Sequence, residues 1–535
     1  MTSMFDIIIR NGKVVDGTGS PGFRADVGIK GRRILRVGKL SGENSLKSID
    51  ARGLAVSPGF IDMHSHSDLV LLVNPRAESK IRQGITTEVI GNCGGSAAPL
   101  SDLMKEDLRK TDPLVGEAAL QLDWSTMKDY VARLSRQGTA VNAVPLIGHG
   151  NIRESVMGFS DRKPTTTELD EMKTALARAM EDGGSGMSTG LIYPPGCYAG
   201  TEELVELCKV VAGYGGIYAS HIRGEGDSLL EAVREAIRIG EEAGLPVEVS
   251  HHKAGGRANW GKVTESLNMM DDARDRGLDV TCDVYPYVAA SFGLSAMLPA
   301  WAHEGGTEKL LERLRDGGTR DRLRREMTED SPGRSTPLRA AGWDATQIAR
   351  CRSHPDFEGR TINEIAGRKK MDPFALVFDL LAEDPGVTLV RYVMCEDDVR
   401  TVLRHPASMI GTDGSAVAAH GILGQGKPHP RSYGTFPRVL RKYVREEGLL
   451  TLEDAIRKMT SLPARKLGLR ARGTIGEGMY ADVTIFDPEA VNDRATYQDP
   501  HRYPEGIEYV IVNGEIAVEK GDHTGALAGT ACVTR

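Results

Sequence analysis

Residues 60–68 read "FIDMHSHSD" and place His64 and His66 two positions apart at the end of a short, mostly apolar run. Side chains alternate between the two faces of a β-strand, so these two imidazoles would point the same way, as two ligands of one metal ion must. Alone, the pair is equally compatible with two ordinary polar residues in the turn after a strand. The rest of the chain must decide between these readings.

The composition is that of a globular protein. The chain has 535 residues, enough for roughly two to four domains or for one large barrel with attachments. Apolar residues make up 40% and charged residues 26%, so neither a disordered chain nor a membrane protein is predicted. No apolar run approaches the roughly 18 residues of a membrane-spanning helix, and the first residues lack the order of a signal peptide. We expect a soluble, cytoplasmic protein.

Charge and cysteine content exclude further classes. The formal net charge is −7 and the basic residues are scattered, so we expect neither nucleic acid nor a membrane as a partner. The seven cysteines are an odd number, are irregularly spaced and include no C-x-x-C pair, which predicts reduced thiols. The oligomeric state is left open.

Both ends of the chain are rich in β-forming residues. "FDIIIRNGKVVDG" near the start and "IEYVIVNGEIAVEKG" near the end each hold Asn-Gly between two apolar runs, a favoured hairpin turn. Two further strand candidates lie between these stretches and the middle of the chain: "ADVGIKGRRILRVGKL" follows the first stretch, and "ADVTIFDP" precedes the second. We predict two terminal hairpins and a small β-sandwich domain built from residues 1–59 and 473–535.

The middle of the chain alternates short apolar runs with amphipathic helical stretches, which is typical of βα units on a parallel sheet. One helix is predicted from the cap region 165–167 through Met180, and another from after Asp227 to before Gly244. The strand candidates end near His64, Cys93, His149, Thr189, His221, His251, Tyr285 and Asp413. Eight such strands predict an α/β fold, a TIM-like (β/α)₈ barrel formed by residues 60–297 and 353–472.

Two segments do not fit the barrel pattern. The charged helical stretches "TEKLLERLRD" and "RDRLRREMTED" predict an inserted subdomain over residues 298–352, near the mouth of the barrel. Whether this insert moves as a lid is not determined by the sequence. "TLVRYVM" at 388–394 is a ninth strand candidate, which we place outside the barrel.

Six residues with metal-binding side chains stand at the ends of apolar runs, where the chemistry of such barrels occurs. Each histidine alone is compatible with a hydrogen-bonded structural role, and Cys93 alone with a small buried apolar residue. Together, imidazole, thiolate and carboxylate are the ligand set of zinc, and a catalytic zinc needs about three protein ligands and an open position. The six candidate ligands are His64, His66, Cys93, His221, His251 and Asp413.

Eight stretches carry a resemblance to a known family. They are "FIDMHSHSD", "GITTEVIGNCGGSAAP", "GMSTGLIYPPG", "YASHIRGEGDSLLEAV", "VEVSHHK", "DVYPY", "MIGTDG" and "HPRSYGTFPRVL". Over nearly its whole length the chain resembles the N-acyl-D-amino acid deacylases (D-aminoacylases) of the amidohydrolase superfamily. The H-x-H and Asp elements mark only the superfamily, whereas Asn-Cys-Gly, Ser-His-His-Lys and His-Pro-Arg-x-Tyr-Gly-Thr-Phe-Pro are more specific.

The resemblance implies a metal site of the metal-dependent hydrolase type. Cys93, His221 and His251 would bind one tightly held zinc, with Cys93 in the place of the carboxylated lysine of many relatives. His64, His66 and Asp413 would border a second metal position that in this family is weakly occupied or empty. The bound metal of this site would polarise the scissile carbonyl and lower the pKa of water. Asp413 would carry the proton from water to the departing amine, act as a plain ligand, or do both.

The resemblance also implies substrate-binding residues. Arg431 matches the family's carboxylate-binding arginine, whose planar fork suits bidentate binding. Without the resemblance, the sequence would favour a surface arginine at this position. Lys253 and Tyr285 would assist it. Tyr193 could donate a hydrogen bond to the acyl carbonyl and Ser291 could line the pocket, and both are equally compatible with packing roles.

Two local features bear on the substrate. The segment 413–431, "DGSAVAAHGILGQGKPHPR", looks longer than in some family members, so the assignment of Arg431 depends on its motif. Relatives that act on acidic D-amino acids are expected to carry an added arginine soon after "DVYPY", and "VAASFGLSAML" has no basic residue. We therefore predict zinc-dependent hydrolysis of N-acyl-D-amino acids with neutral, apolar side chains. The preferred acyl group and the exact side chain are not determined.

Two other functions remain as alternatives. A hydantoinase-like cyclic amidase or a D-dipeptidase would use the same metal site, and a substrate panel separates these because hydantoins lack the free α-carboxylate that Arg431 would bind. A non-catalytic scaffold is disfavoured because all six metal-site candidates are present.

Overall fold

The computed structural model describes residues 5–116, 120–329 and 337–532. Outside the described residues lie 1–4, 117–119, 330–336 and 533–535. The range 330–336 belongs to the predicted insert and begins with the last residue of its second charged stretch. None of the helices in the described ranges is both long and apolar enough to cross a membrane.

Parallel strands form a closed ring in the middle of the chain. Neighbouring strands pair in parallel, and the ring closes where the Met63 amide donates to the Ile410 carbonyl over 3.2 Å and Ser65 pairs with Gly414. The barrel strands are Phe60–Asp62, Ile85–Ile90, Asn142–Pro145 continued by Ile147–Gly148, Gly186–Gly190, Ile217–His221, Val247–Val249, Val280–Val284 and Ser408–Ile410. The predicted barrel and its eight strands are confirmed.

Helices follow the barrel strands and cover their outer side. Thr166–Glu181 begins with a capping box in which Thr165 and Glu168 bond each other's backbone amides, and Leu229–Ala243 ends at left-handed Gly244. Both helices are as predicted. The longer barrel helices are Met127–Gln137, His149–Met157, Thr166–Glu181, Thr201–Gly213, Leu229–Ala243, Lys262–Asp275, Glu396–Arg404, Arg431–Arg438 and Leu452–Met459.

The two ends of the chain form one nine-stranded sheet with its own apolar core. At the C-terminal end the predicted hairpin is confirmed. Asn513 and Gly514 have φ angles of 49° and 85° and join two antiparallel strands in a tight turn. The strands of this sheet are Phe5–Val14, Phe23–Lys30, Arg33–Gly38, Ser45–Asp50, Ala55–Pro58, Val483–Phe486, Ile507–Val512, Glu515–Glu519 and Asp522–His523.

The predicted N-terminal hairpin is wrong. Phe5–Val14 is one strand that runs straight through Asn11 and Gly12, where a bulge interrupts its pairing with Phe23–Lys30. Asn11 has φ 63° and its amide donates to Asp26, and a Cβ on Gly12 would lie 2.4 Å from Val56. Asn-Gly tolerates left-handed backbone angles and lets a neighbouring segment approach the backbone closely. A bulge needs both properties as much as a turn does.

A third unit lies outside the barrel. Ala289–Gly293, Thr346–Arg350 and Thr388–Tyr392 form an antiparallel sheet, so the ninth strand candidate lies outside the barrel as predicted. Helices Thr307–Arg315, Gly317–Thr328, Ile362–Lys369 and Pro373–Glu383 pack with it around a separate apolar core between Leu294 and Leu389. On this packing we propose that the insert spans about 289–394 rather than 298–352.

Candidate metal centre

The six predicted ligands meet at one end of the barrel because each ends or closely follows one of five strands of the parallel ring. His64 and His66 follow Phe60–Asp62, Cys93 follows Ile85–Ile90, and His221 is the last residue of its strand. His251 lies two residues after the strand Val247–Val249, and Asp413 lies three residues after the strand Ser408–Ile410. The carboxyl ends of barrel strands share one face, so residues far apart in sequence lie together.

Three of these residues have left-handed backbone conformations. Cys93, His251 and Asp413 have φ angles of 53°, 35° and 50°. Such angles are costly for residues other than glycine and concentrate at functional sites. The backbone turns sharply after each strand and directs these side chains into the mouth of the barrel.

The first group of ligand atoms surrounds the Cys93 sulfur. Cys93 Sγ lies 3.3 Å from His64 Nε2, 3.4 Å from His251 Nε2 and 3.6 Å from His221 Nδ1. The second ring nitrogen of His221, Nε2, is buried without a hydrogen-bond partner. One thiol and three imidazoles thus converge, and one of their ring nitrogens has no hydrogen-bond partner.

The second group adjoins the first through His64. His66 Nε2 lies 3.0 Å from Asp413 Oδ1, and His64 Nε2 lies 3.7 Å from the same oxygen. Potential ligand atoms within 4.8 Å of one another form three sets, His64 with Cys93 and His251, His64 with His66 and Asp413, and His221 with Glu225 and His251. The sets are contiguous, so the pocket has room for cation positions side by side.

In the metal-free pocket, the neighbours of Cys93 and His66 shift the pKa values of these two residues in opposite directions. Burial raises the pKa of the Cys93 thiol, but the His64 and His251 imidazoles outweigh it and hold that pKa well below its usual range. Burial lowers the pKa of His66, but its hydrogen bonds to Asp413 and Cys93 raise it to about 9. Metal binding replaces protons on just such ligands. Thiolate, imidazole and carboxylate fit zinc, so the residues present fit the metal that the family implies.

Two residues near the ligands were not singled out from the sequence. Asp283 places Oδ2 3.3 Å from His64 Nδ1 and accepts a hydrogen bond from the His251 backbone amide over 2.9 Å. Glu225 Oε1 lies 3.0 Å from His251 Nδ1. Both lie inside the quoted stretches "DVYPY" and "HIRGEGD", but their roles depend on contacts across the barrel. Such partners orient ligating histidines.

The five predicted substrate residues line one cavity of about 420 Å³ together with all candidate ligands except His64. Arg431 begins the helix Arg431–Arg438, stacks over the Tyr285 ring at 4.8 Å and donates to the Ser291 carbonyl over 3.1 Å. Ser291 therefore meets Arg431 through its backbone. The Tyr193 ring lies 5.0 Å from the His221 ring.

Lys253 is already engaged. Its ammonium donates to His251 Nδ1 over 2.7 Å and to Glu225. This differs from a free cation waiting for a substrate, and it makes Lys253 a partner of the metal-site histidine as well as a lining residue.

The chain is similar to known proteins over nearly its whole length. The model of the amidohydrolase family matches residues 47–518. The chain belongs to this family, among the N-acyl-D-amino acid deacylases. Two curated amidohydrolase relatives from Alcaligenes xylosoxydans xylosoxydans are similar over nearly their full length. N-acyl-D-glutamate deacylase is 38% identical, covering 96% of this chain and 94% of the relative, and D-aminoacylase is 36% identical, covering 98% and 97%.

Solved amidohydrolase structures are similar throughout. N-acyl-D-glutamate deacylase from Bordetella bronchiseptica, complexed with zinc and a phosphonate mimic of the tetrahedral intermediate, has a TM-score of 0.83 at 35% identity and covers 100% of both chains. A D-aminoacylase described in terms of one-metal activation and second-metal attenuation of its binuclear centre has a TM-score of 0.82 at 37% identity and covers 98% and 99%. D-hydantoinase, with a TM-score of 0.55 at 17% identity, shares the fold alone.

Proposed function

We propose that the protein is a metal-dependent amidohydrolase that cleaves the amide bond of N-acyl-D-amino acids, giving a carboxylate and a free D-amino acid. One observation carries the proposal. A buried arginine, Arg431, lines the same cavity as five of the six convergent metal-ligand candidates, and the sixth, His64, contacts Cys93. This combination suits a linear amide that bears an α-carboxylate, and the similar deacylases act on substrates of that class.

We assign the tightly held ion to Cys93, His221 and His251, with His64, His66 and Asp413 at a second, weaker position. The ionised sulfur beside buried imidazoles supports zinc as the first ion, and zinc is present in the structure of a similar deacylase. When bound, zinc supplies a Lewis acid for the scissile carbonyl and lowers the pKa of water. Lys253, Glu225 and Asp283 hold the histidines in place.

Asp413 is the proposed proton carrier. Burial raises the pKa of its carboxyl, but Arg431 and His251 outweigh it and hold that pKa well below the ordinary value. The carboxylate is therefore ready to accept the proton of the attacking water. The same oxygen then delivers that proton to the amine nitrogen as the amide bond breaks, so one residue serves as base and acid in turn.

Arg431 is the proposed clamp for the α-carboxylate. Its planar guanidinium can make two parallel hydrogen bonds to a carboxylate, and stacking on Tyr285 restricts its orientation. Tyr193 is assigned to the acyl carbonyl because its ring lies beside His221. Ser291 would support Arg431 from the wall of the pocket, and Lys253 would add positive charge.

The proposed side-chain preference is for neutral, apolar D-amino acids. Among the described residues, Lys253 and Arg431 are the lysine and arginine side chains that line this cavity, and both already have acidic partners. Sequence identity does not decide between neutral and acidic side chains. N-acyl-D-glutamate deacylase is 38% identical to the chain, D-aminoacylase 36% and N-acyl-D-aspartate deacylase 35%. A cytoplasmic location accords with seven free cysteines.

Hydrolysis of N-acetyl-D-methionine and of N-acetyl-L-methionine tests the proposal, on protein whose zinc content is measured and with Asp413→Asn alongside. We expect release of the D-amino acid alone, with kcat reduced about 10²- to 10⁴-fold in the variant. Equal turnover of the L-substrate contradicts the stereochemical assignment. Bound zinc with turnover of hydantoins or D-dipeptides instead points to the rival activities, because hydantoins lack the carboxylate that Arg431 would hold.

A further inference from the structure

A second cavity, of about 600 Å³, adjoins the cavity of the candidate metal centre. The two share a boundary formed by His66, Thr388, Ser415, Val417 and Pro428. A volume in this range accommodates a substantial organic group. An acetyl group needs no such space, so the proposed reaction leaves the second cavity unexplained.

Aliphatic side chains form much of the wall of the second cavity. Met104 and Leu108, on the helix Asp102–Thr111, line it together with Leu114, Ile422 and Leu423. No phenylalanine, tyrosine or tryptophan is among the described lining residues. Aliphatic walls without rings suit a flexible hydrocarbon chain, which gains affinity in proportion to its buried apolar area.

The segment between Asp413 and Arg431, which looks longer than in some family members, builds part of this cavity. Ser415, Val417, Ile422, Leu423 and Pro428 all belong to it, and all line the second cavity. The sequence offered no role for this length. In the structure, the segment runs from the proposed proton carrier to the proposed carboxylate clamp and forms apolar wall on the way.

The polarity of the lining argues against a charged acyl end. Asp112 accepts a hydrogen bond from the Leu114 amide over 2.7 Å and so serves the local backbone. Asp68, Asp107 and Glu154 are further carboxyl groups of the lining, and its one described arginine, Arg350, donates a hydrogen bond to Gln425 over 2.9 Å. Burial together with Asp107 raises the pKa of Glu154 to about 7. Carboxyl groups outnumber the guanidinium in this lining, so it suits a neutral hydrocarbon chain better than an anionic acyl group such as succinyl.

We propose that the second cavity is an acyl subsite and that the enzyme prefers N-acyl-D-amino acids with medium or long aliphatic acyl chains. This inference rests on the proposed deacylase function. With the α-carboxylate at Arg431 and the scissile carbon among the candidate ligands, the acyl chain leaves past His66, whose side chain lines both cavities. The aliphatic walls would then enclose the chain.

The test uses zinc-loaded enzyme and the D-methionine series N-acetyl, N-butyryl, N-hexanoyl, N-octanoyl and N-succinyl. We expect kcat/KM to rise about threefold or more for each methylene buried, and N-succinyl to be a poor substrate. A flat or falling series with good N-acetyl turnover overturns the subsite and leaves the deacylase function standing. Failure of every chain length overturns both.

Wall variants locate the subsite. Leu108→Trp and, in the segment between Asp413 and Arg431, Leu423→Trp fill the cavity and should lower kcat/KM for N-octanoyl-D-methionine about tenfold or more while changing N-acetyl turnover less than about twofold. Leu103→Trp is the matched control, because Leu103 lies on the same helix but is 62% exposed and does not line the cavity. Equal losses on both substrates in Leu108→Trp and Leu423→Trp would overturn the assignment.

Discussion

Arg431 Nη1 lies 2.7 Å from Oδ2 of Asp413, and both side chains are buried at the mouth of the barrel. The proposed carboxylate clamp is thus also the strongest partner of the proposed proton carrier. A substrate carboxylate bound to Arg431 would compete with Asp413 for the same guanidinium. Under the proposed roles, substrate binding and proton transfer would therefore be coupled.

Replacing Arg431 should separate substrates by their carboxylate. Losing hydrogen bonds to a charged group costs about 1.5–3 kcal/mol, so Arg431→Met should lower kcat/KM for N-acetyl-D-methionine about 10- to 150-fold. Arg431→Lys should retain only part of this kcat/KM, since an ammonium lacks the planar fork of a guanidinium. The control substrate is the corresponding N-acetyl amine without the carboxylate. An equal loss on both substrates would show that Arg431 acts on Asp413 alone.

Cys93 should bind metal and react as a thiolate. Cys93→Ala should lose most of its zinc by elemental analysis, while Cys197→Ala retains it. In metal-depleted wild-type protein at neutral pH, iodoacetamide should alkylate Cys93 faster than Cys197, because the pKa of the first is well below its usual range and burial raises that of the second to about 12. Added zinc should protect Cys93. Full zinc retention in Cys93→Ala would contradict its assignment as a ligand.

Lys80 should be essential for stability and for metal binding. Its fully buried ammonium lies 2.6 Å from Asp62 and 3.2 Å from Glu88, next to the strand that carries the H-x-H pair. Lys80→Met leaves these carboxylates without their cation and should destabilise the fold by about 3–5 kcal/mol. Thermal unfolding and zinc content give the readout.

Lys30→Met provides the comparison for Lys80→Met. Lys30 pairs with Asp6 over 2.8 Å at the surface, and such pairs contribute about 1 kcal/mol or less. Similar losses of stability in the two variants would rule out a special role for the buried cluster.

His303 should make the inserted unit sensitive to acid. Burial, with a smaller effect of Arg313, lowers its pKa to about 4, compared with about 6.5 in an unfolded chain. The folded state then binds fewer protons between these values, so stability is complete above about pH 6.5 and falls as the pH decreases toward 4. The wild type should lose more Tm across this window than His303→Gln. Parallel Tm curves for the two proteins would refute the prediction.

The side-chain preference can be tested directly. We expect N-acetyl-D-methionine, -leucine, -phenylalanine or -valine to be better substrates than N-acetyl-D-glutamate, because no further cation lines the described part of the cavity. Phe292→Arg, which adds a cation at a lining position, should raise the glutamate-to-methionine ratio of kcat/KM. Good turnover of N-acetyl-D-glutamate by the wild type, without turnover of the apolar substrates, would disprove the preference.

Local patterns in the sequence were enough to predict most of the barrel. Each strand is a short apolar run that ends in a polar or glycine-rich turn, and helices such as Thr166–Glu181 carry both a capping box and a periodic apolar face. The Asn-Gly pairs show the limit of this reasoning. The same dipeptide makes a hairpin turn at Asn513 and a bulge at Asn11, since the pairing strand decides which, and that strand lies elsewhere in the chain.

The sequence by itself determined the fold class, the family resemblance and the identity of the candidate ligands, because strand ends and ligand chemistry are local properties. Only the tertiary structure decided which of these residues touch. Arg431 beside Asp413, Asp283 beneath His64, and the aliphatic second cavity all join segments that are distant in sequence. Their distances follow from the closure of the barrel, which local periodicity does not specify.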